Sequence, residues 1–322
     1  MDIGISLWTA TILGLLALLS LDFLTSSRKP HDVTFKEASF WSIFYISVAV
    51  IFGIWVWVAY GSNLGTEFFS AYLVEKSLSV DNLFVFAIIL TQFAVPSILQ
   101  QRVLLFGVAL ALIMRAAFIA LGAAALAAFS FTFVLFGALL IWTGFGLMKH
   151  WDKDPDPNSN FAARLVRRFI PVSDEFHGTA YFVRVQGKRV ATPMVLVMAA
   201  IAGTDLLFAL DSIPATFGVT QEPYLVFTAN AFALLGLRAL YFLLKGLLDR
   251  LIYLSISLAL ILMFIGVKLI SIYVHEIWVQ VPKISTNLSL LVIVLILGIG
   301  TVASLRKSKA DPNAVAHAGT IT

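Results

Sequence analysis

Glu75 and Asp81 lie six residues apart in the stretch Glu75-Lys-Ser-Leu-Ser-Val-Asp-Asn82, and Asp205 and Asp211 lie six apart in Thr204-Asp-Leu-Leu-Phe-Ala-Leu-Asp-Ser212. Both stretches are embedded in apolar sequence. At roughly 100° per residue, Glu75, Ser79 and Asn82 form one stripe of a helix with Asp81 on its flank. Asp205 and Ser212 repeat that stripe, flanked by Asp211. Two such arcs facing one another would gather hard oxygen donors around one point, a site for Mn²⁺, Mg²⁺ or Ca²⁺. The chain has no cysteine, which excludes a thiolate zinc site, an iron–sulfur cluster and a cysteine nucleophile. Its five histidines fall in loops, at the ends of apolar segments or in the tail, so an imidazole-rich Zn²⁺ or Cu²⁺ site is disfavoured.

Four cations, Lys76, Arg115, Arg238 and Lys268, also lie within apolar segments. They leave a second use of the acids open: ion pairs that lock a bundle, for which the guanidinium fork of Arg115 or Arg238 is well shaped. Lys268 is either a counter-charge that an arriving cation displaces or a side chain that snorkels to an interface. Asn230 is a further ligand or an ordinary interhelical hydrogen-bonding residue. Pro214, three residues after Asp211, has no N–H and is expected to kink its helix and free a carbonyl near residue 210.

The elements that position these groups follow from composition. Of 322 residues, 60% are hydrophobic and 12% charged, and the mean hydropathy is +0.95, which excludes a soluble globular domain. Nine windows of about 20 apolar residues can span a bilayer: 3–23, 39–60, 67–94, 103–128, 130–148, 192–213, 224–244, 251–274 and 287–305. The expected fold is an all-α, polytopic membrane helical bundle of about nine spans. The first window lacks the basic flank and cleavage site of a signal peptide and is expected to stay as an anchor. Arg28, Lys29, Lys36, Arg102, the eight basic residues from Lys149 to Arg189, Lys245, Arg250, Arg306, Lys307 and Lys309 fall on one side of such a bundle. Lys283 alone falls on the other, so the N-terminus is expected outside and the C-terminus in the cytoplasm. This placement accounts for the net charge of +4, and no basic domain with interleaved aromatics exists to bind nucleic acid.

The long polar segment 149–190 should be cytoplasmic. Phe161, Leu165 and Phe169 recur there at helical spacing beside Arg164, Arg167 and Arg168, which suits either a helix on an anionic leaflet or a cap over the bundle. Tyr181 to Val190 reads as a hairpin turning at Gln186 and Gly187, and the tail from Lys307 reads as polar and frayed. Compared with itself, the chain shows three ordered matches. Glu75 and Asp81 match Asp205 and Asp211 at an offset of 130, Arg115-Ala-Ala-Phe118 matches Arg238-Ala-Leu-Tyr241 at 123, and the stretch ending at Gly144 matches that ending at Gly266 at 122. Spans 3–5 thus recur as spans 6–8 in the opposite orientation, an inverted 3+3 repeat. The chain divides into anchoring spans (1–66), repeat one (67–148), the loop (149–190), repeat two (191–275), and the last span with the tail (276–322).

The two acidic motifs, together with Thr228-Ala-Asn-Ala-Phe-Ala-Leu-Leu-Gly-Leu-Arg-Ala-Leu-Tyr241, resemble the TerC family of integral membrane proteins, especially its Alx-like branch, from about Glu37 to Val274. The resemblance implies a multi-pass bacterial inner-membrane protein associated with tellurite resistance, pH response and export of Mn²⁺, and similar to the LysE group of exporters. By motif position it implies metal ligation by Glu75, Asp81 and Asn82 and by Asp205, Asp211 and Ser212. Where this branch often carries a glutamate three residues before Asp205, the chain has Ala202, one acidic ligand fewer. The expected activity is secondary transport in exchange for protons, with no required cofactor and no enzymatic role: no nucleotide-binding P-loop, His-Glu-x-x-His motif or histidine base within the spans is present. The expected partners are the bilayer, the metal ion and protons; oligomeric state is not legible. Two alternatives are an oxyanion transporter using Arg115, Arg238 and Lys268, and a scaffold or sensor acting through the cytoplasmic loop.

Overall fold

Each of the nine apolar windows becomes helix. The computed structural model describes residues 4–27, 33–153, 168–173, 175–178, 180–185, 188–244, 251–278, 280–282, 284–311, 314 and 317. Its helices are α1 (Ile5–Ser27), α2 (Phe35–Tyr60), α3 (Ser62–Gln92), α4 (Ser97–Ala128), α5 (Thr132–Lys149), α6 (Pro193–Val219), α7 (Pro223–Leu234), α8 (Leu237–Leu244), α9 (Leu254–Ile277) and α10 (Thr286–Ala310). A two-stranded antiparallel hairpin, β1 (Phe182–Val185) and β2 (Lys188–Ala191), precedes α6. Helices α1, α2, α4, α5, α6, α9 and α10 are each long and apolar enough to cross a bilayer, and the bent pair α7–α8 can form one further span. At 31 residues α3 has the length, but Glu67, Glu75, Lys76 and Asp81 make it less apolar.

Local sequence sets the helix ends. Thr34 caps α2, its hydroxyl accepting the N–H of Glu37 at 3.3 Å. A single residue, Gly61, joins α2 to α3 with φ +96°, a backbone conformation open to glycine and strained for other residues. Gly236 sits at φ +77° between α7 and α8, which meet at a 41° bend. The window 224–244 is therefore a broken span, and the Nζ of Lys76 on α3 donates to the Ala233 carbonyl at 3.1 Å, one of those the break releases. The expected kink at Pro214 is not what breaks a span. Helix α6 continues through it, held by neighbours that bury Ser212 to Val219, and Thr216 donates its hydroxyl to the Ser212 carbonyl at 2.9 Å. The tail also differs from expectation: α10 runs past Lys307 to Ala310, and Lys307 pairs with Asp311 at 3.4 Å. The amphipathic stretch from Phe161 falls outside the described residues up to Arg167.

Three helix pairs that cross the interior are antiparallel. On α3 and α6, Glu67 meets Thr220 and Glu75 meets Thr216. On α4 and the α7–α8 span, Ile119 and Val226 share one apolar cluster, while Tyr241 donates to Gln100 at 3.4 Å. On α5 and α9, glycines let the backbones touch: a Cβ on Gly137 would lie 2.6 Å from the Gly266 carbonyl oxygen, and one on Gly144 would lie 2.8 Å from that of Ala259. Shifted by the offset of 122, the first of these contacts becomes the second, the exchange that a two-fold axis between inverted units requires.

A side chain at Gly137 or Gly266 meets the backbone of the facing glycine as well as an isoleucine, Ile270 or Ile141. Gly266→Val should therefore cost about 1–3 kcal/mol, whereas Gly298→Ala, whose Cβ meets nothing within 4 Å, should be neutral. Thermal unfolding of the purified variants in detergent checks both.

Candidate cation site

A layer of polar side chains interrupts two of the three apolar clusters of the interior at one level. On α3 the buried members of one end at Leu78 and those of the other begin at Leu83. On α6 the second ends at Ile201 and the first resumes at Ala215, with Ala209 and Ile213 of the third cluster between them. Between these limits lie Ser79, Asn82, Thr204, Asp205 and Ser212, all buried, with Glu75 a turn above Ser79.

Arg115 of α4 is the centre of the layer. Its side chain is fully buried and its guanidinium is ringed by oxygen. Nε donates to Asp205 Oδ2 at 3.2 Å and Nη2 to Asp205 Oδ1 at 3.1 Å, a two-pronged pair with α6. Nη1 donates to Glu75 Oε1 on α3 and to Ser212 Oγ at 3.1 Å. The second oxygen of Glu75 accepts from Thr216 Oγ1 at 2.8 Å. With its side-chain oxygen turned inward, Asn82 accepts from Arg115 Nη2 at 3.3 Å and its amide donates to the Leu78 carbonyl at 3.0 Å. Three helices therefore converge on one cation, and two carboxylates against one guanidinium give the Glu75–Asp205–Arg115 triad a formal charge of −1.

Of the ten residues singled out from sequence, Glu75, Asn82, Asp205 and Ser212 meet at Arg115. Asp211 does not join them. Six residues beyond Asp205 it points elsewhere on α6, half-buried against Thr143 of α5. Asp81 lies on α3, and its side chain is outside the described residues. Arg238, the repeat counterpart of Arg115, turns away from the motif acids and pairs with Asp22 of α1, Nη2 to Oδ1 at 2.5 Å and Nε to Oδ1 at 3.2 Å. Lys268 and Asn230 are 4% and 1% exposed, and the Nζ of the first and both amide atoms of the second have no hydrogen-bond partner among the described residues. Asn230 lies one turn beyond Val226 on α7, and Arg115 one turn before Ile119 on α4, so their antiparallel pairing sets both at one depth. Ser79 Oγ is likewise buried without a partner. Among the described residues no three acids or histidines form a ready cage for a metal, because Arg115 stands between the acids.

Three participants escaped the sequence reading. Thr216 continues the Asp205–Ser212 stripe by one turn and was legible from spacing alone. Asp22 sits near the end of an apolar window, where an acid passes for an interfacial residue. Glu67 accepts from Thr220 Oγ1 at 2.6 Å two turns above Glu75, and its charge acts on Lys268. An apolar groove of about 870 Å³ between α1 and α2, lined by Leu15, Leu18, Phe52, Trp55 and Phe232, has no charged side chain in its wall and offers an ion no path.

Comparison with known proteins adds the family context. A family model described as the integral membrane protein TerC family matches residues 60–311. An uncharacterised membrane protein of Myxococcus xanthus is 41% identical over 312 residues, 97% of this chain and 96% of its own. The thylakoid membrane protein TERC of Arabidopsis thaliana chloroplasts is 40% identical over 281 residues, 87% of this chain and 72% of its own. A protein of Photorhabdus laumondii described as the membrane-bound redox modulator Alx is 36% identical over 280 residues, covering 84% of this chain and 88% of its own. No solved structure matches.

Removing one partner of a buried ion pair strands the other charge. Arg115→Gln should lower stability by about 3–5 kcal/mol, and Arg115→Lys should recover only part of it, because an ammonium cannot fork onto Asp205. Denaturant unfolding in mixed micelles reads the loss; equal stability of all three proteins would show that the triad contributes nothing.

Proposed function

The chain belongs to the TerC family of integral membrane proteins, and on that premise we propose that it is a secondary transporter exporting a divalent metal cation, Mn²⁺ foremost, in exchange for protons. The observation that carries this reading is the residual negative charge around Arg115. Charge at mid-membrane costs about 2.5–3.5 kcal/mol per group, so the layer favours taking up either a proton or a cation. Antiport alternates these two. In the proton-loaded state one carboxyl is neutral and Arg115 satisfies the other, which keeps the empty site from drawing in a stray ion.

A divalent cation competes with Arg115 for the same oxygens of Glu75 and Asp205. Ser212 and Thr216 supply hydroxyl oxygens beside them, and Asn82 a carbonyl oxygen, a hard donor set suited to Mn²⁺ or Mg²⁺. Asn230, level with Arg115 and without a hydrogen-bond partner among the described residues, would serve as a further ligand or as the resting place of the displaced guanidinium. The apolar clusters on either side of the layer act as the two seals, and rocking of the inverted units opens them in turn. Bacterial relatives and the one-sided distribution of Lys and Arg support a plasma membrane location with the N-terminus outside.

The alternative oxyanion reading fits less well, since the guanidinium of Arg115 already faces Glu75 and Asp205, and Arg238 is engaged by Asp22. Redox modulation, as in the description of the Photorhabdus relative, cannot proceed through thiols here, because the chain has no cysteine.

Proteoliposomes give a direct test. Proton-gradient-driven Mn²⁺ flux should fall at least ten-fold in Glu75→Gln and in Asp205→Asn while tellurite flux stays at background. Wild-type Mn²⁺ flux retained by both variants would refute the assignment.

A further inference from the structure

A second charged surface lies on the hairpin at the root of α6. Its register sets Arg184 directly opposite Arg189, so two like charges share one face at a separation of about 5 Å between Cβ atoms. That pairing is unfavourable unless an anion lies between them. Both arginines are exposed, and no carboxylate among the described residues lies within 4 Å of either. Phe182, two residues before Arg184, shares their face and is 41% exposed, with the Arg189 guanidinium 4.4 Å above its ring. Nearby in the chain, Arg168 lies 5.9 Å from the ring of Phe169, which is 73% exposed.

The hairpin is fixed against the bundle rather than projecting from it. Thr192, the residue before α6, donates its N–H to Tyr181 at 2.9 Å and its hydroxyl to Ala180 at 2.7 Å. Ser173 and Ala191 exchange further backbone bonds with the segment from Pro171, Ser173 N to Ala191 O at 2.8 Å and Ala191 N to Pro171 O at 2.9 Å. Tyr181 packs edge-on to Phe106 of α4 at 5.8 Å. The arginine pair is thus held within a few residues of the start of α6, a helix long and apolar enough to cross a bilayer.

We infer that the Arg184–Arg189 face binds the headgroup of an anionic phospholipid. The phosphate accepts from both guanidinium groups, whose planar forks suit its oxygens, while Phe182 and Phe169 enter the upper acyl region as exposed aromatic rings do at interfaces. Charge complementarity selects this occupant: the face is cationic and aromatic, and it borders the bilayer. The site is separate from the Arg115 layer, and its test does not require transport.

The cysteine-free chain permits one label. Glu175→Cys, an exposed position beside Ser173, carries an environment-sensitive fluorophore in nanodiscs of phosphatidylcholine containing about one-tenth nitroxide-headgroup lipid, either phosphatidylglycerol or phosphatidylcholine. Each arginine should enrich the anionic lipid about five-fold at low salt. Quenching by the phosphatidylglycerol probe should therefore exceed quenching by the neutral probe several-fold, fall as salt rises, persist in Arg184→Lys/Arg189→Lys and vanish in Arg184→Gln/Arg189→Gln. Equal quenching by the two probes in the parent protein, or a preference unchanged in the glutamine pair, would overturn the inference. So would loss of the preference on adding inorganic phosphate at constant ionic strength, which would assign the face to a free anion.

Discussion

A guanidinium buried between carboxylates from two oppositely directed helices is the constraint around which the rest of the molecule is arranged. Arg115 cannot be solvated where it lies, nor can Glu75 or Asp205, and the three are tolerable only together. That requirement fixes α3, α4 and α6 at one depth and in one rotational setting. Thr216, Ser212 and Asn82 then complete the hydrogen bonding of the triad, as buried polar networks require.

Antiparallel α5 and α9 meet in two contacts, Gly137 with Gly266 and Gly144 with Ala259, that the offset of 122 interchanges. The two arginines that the sequence comparison matches have different partners: Arg115 serves the central acids, whereas Arg238 is drawn off by Asp22 on α1. The pair α7–α8 is bent at Gly236, with Lys76 at the Ala233 carbonyl, while α4 is continuous.

Much of this was legible in the sequence, and the gaps have identifiable causes. Apolar windows placed the spans because hydropathy and length are properties of a single segment. The polar stripes on α3 and α6 were legible because helical periodicity orders neighbours on one element, and they named Glu75, Asn82, Asp205 and Ser212. Which cation those residues would face was not legible, since it depends on the rotation of α4 about its axis; Arg115 and Arg238 have the same local setting and opposite fates. The broken span was missed because Leu-Leu-Gly-Leu reads as ordinary helix until a lysine from another helix meets the freed carbonyl. At Pro214 α6 stays helical on both sides, its backbone held by the packing that buries Ser212 to Val219.

In the proposed exporter, Arg115 and a divalent cation compete for one pair of carboxylates. Mn²⁺ binding to lipid-reconstituted Arg115→Gln protein, followed by the electron paramagnetic resonance signal of the free ion, tests it most directly. Removal of the competing charge should tighten Mn²⁺ binding by roughly ten-fold or more, equivalent to about 1.4 kcal/mol. An affinity unchanged or weakened by the substitution would mean that the guanidinium and the metal do not share a seat.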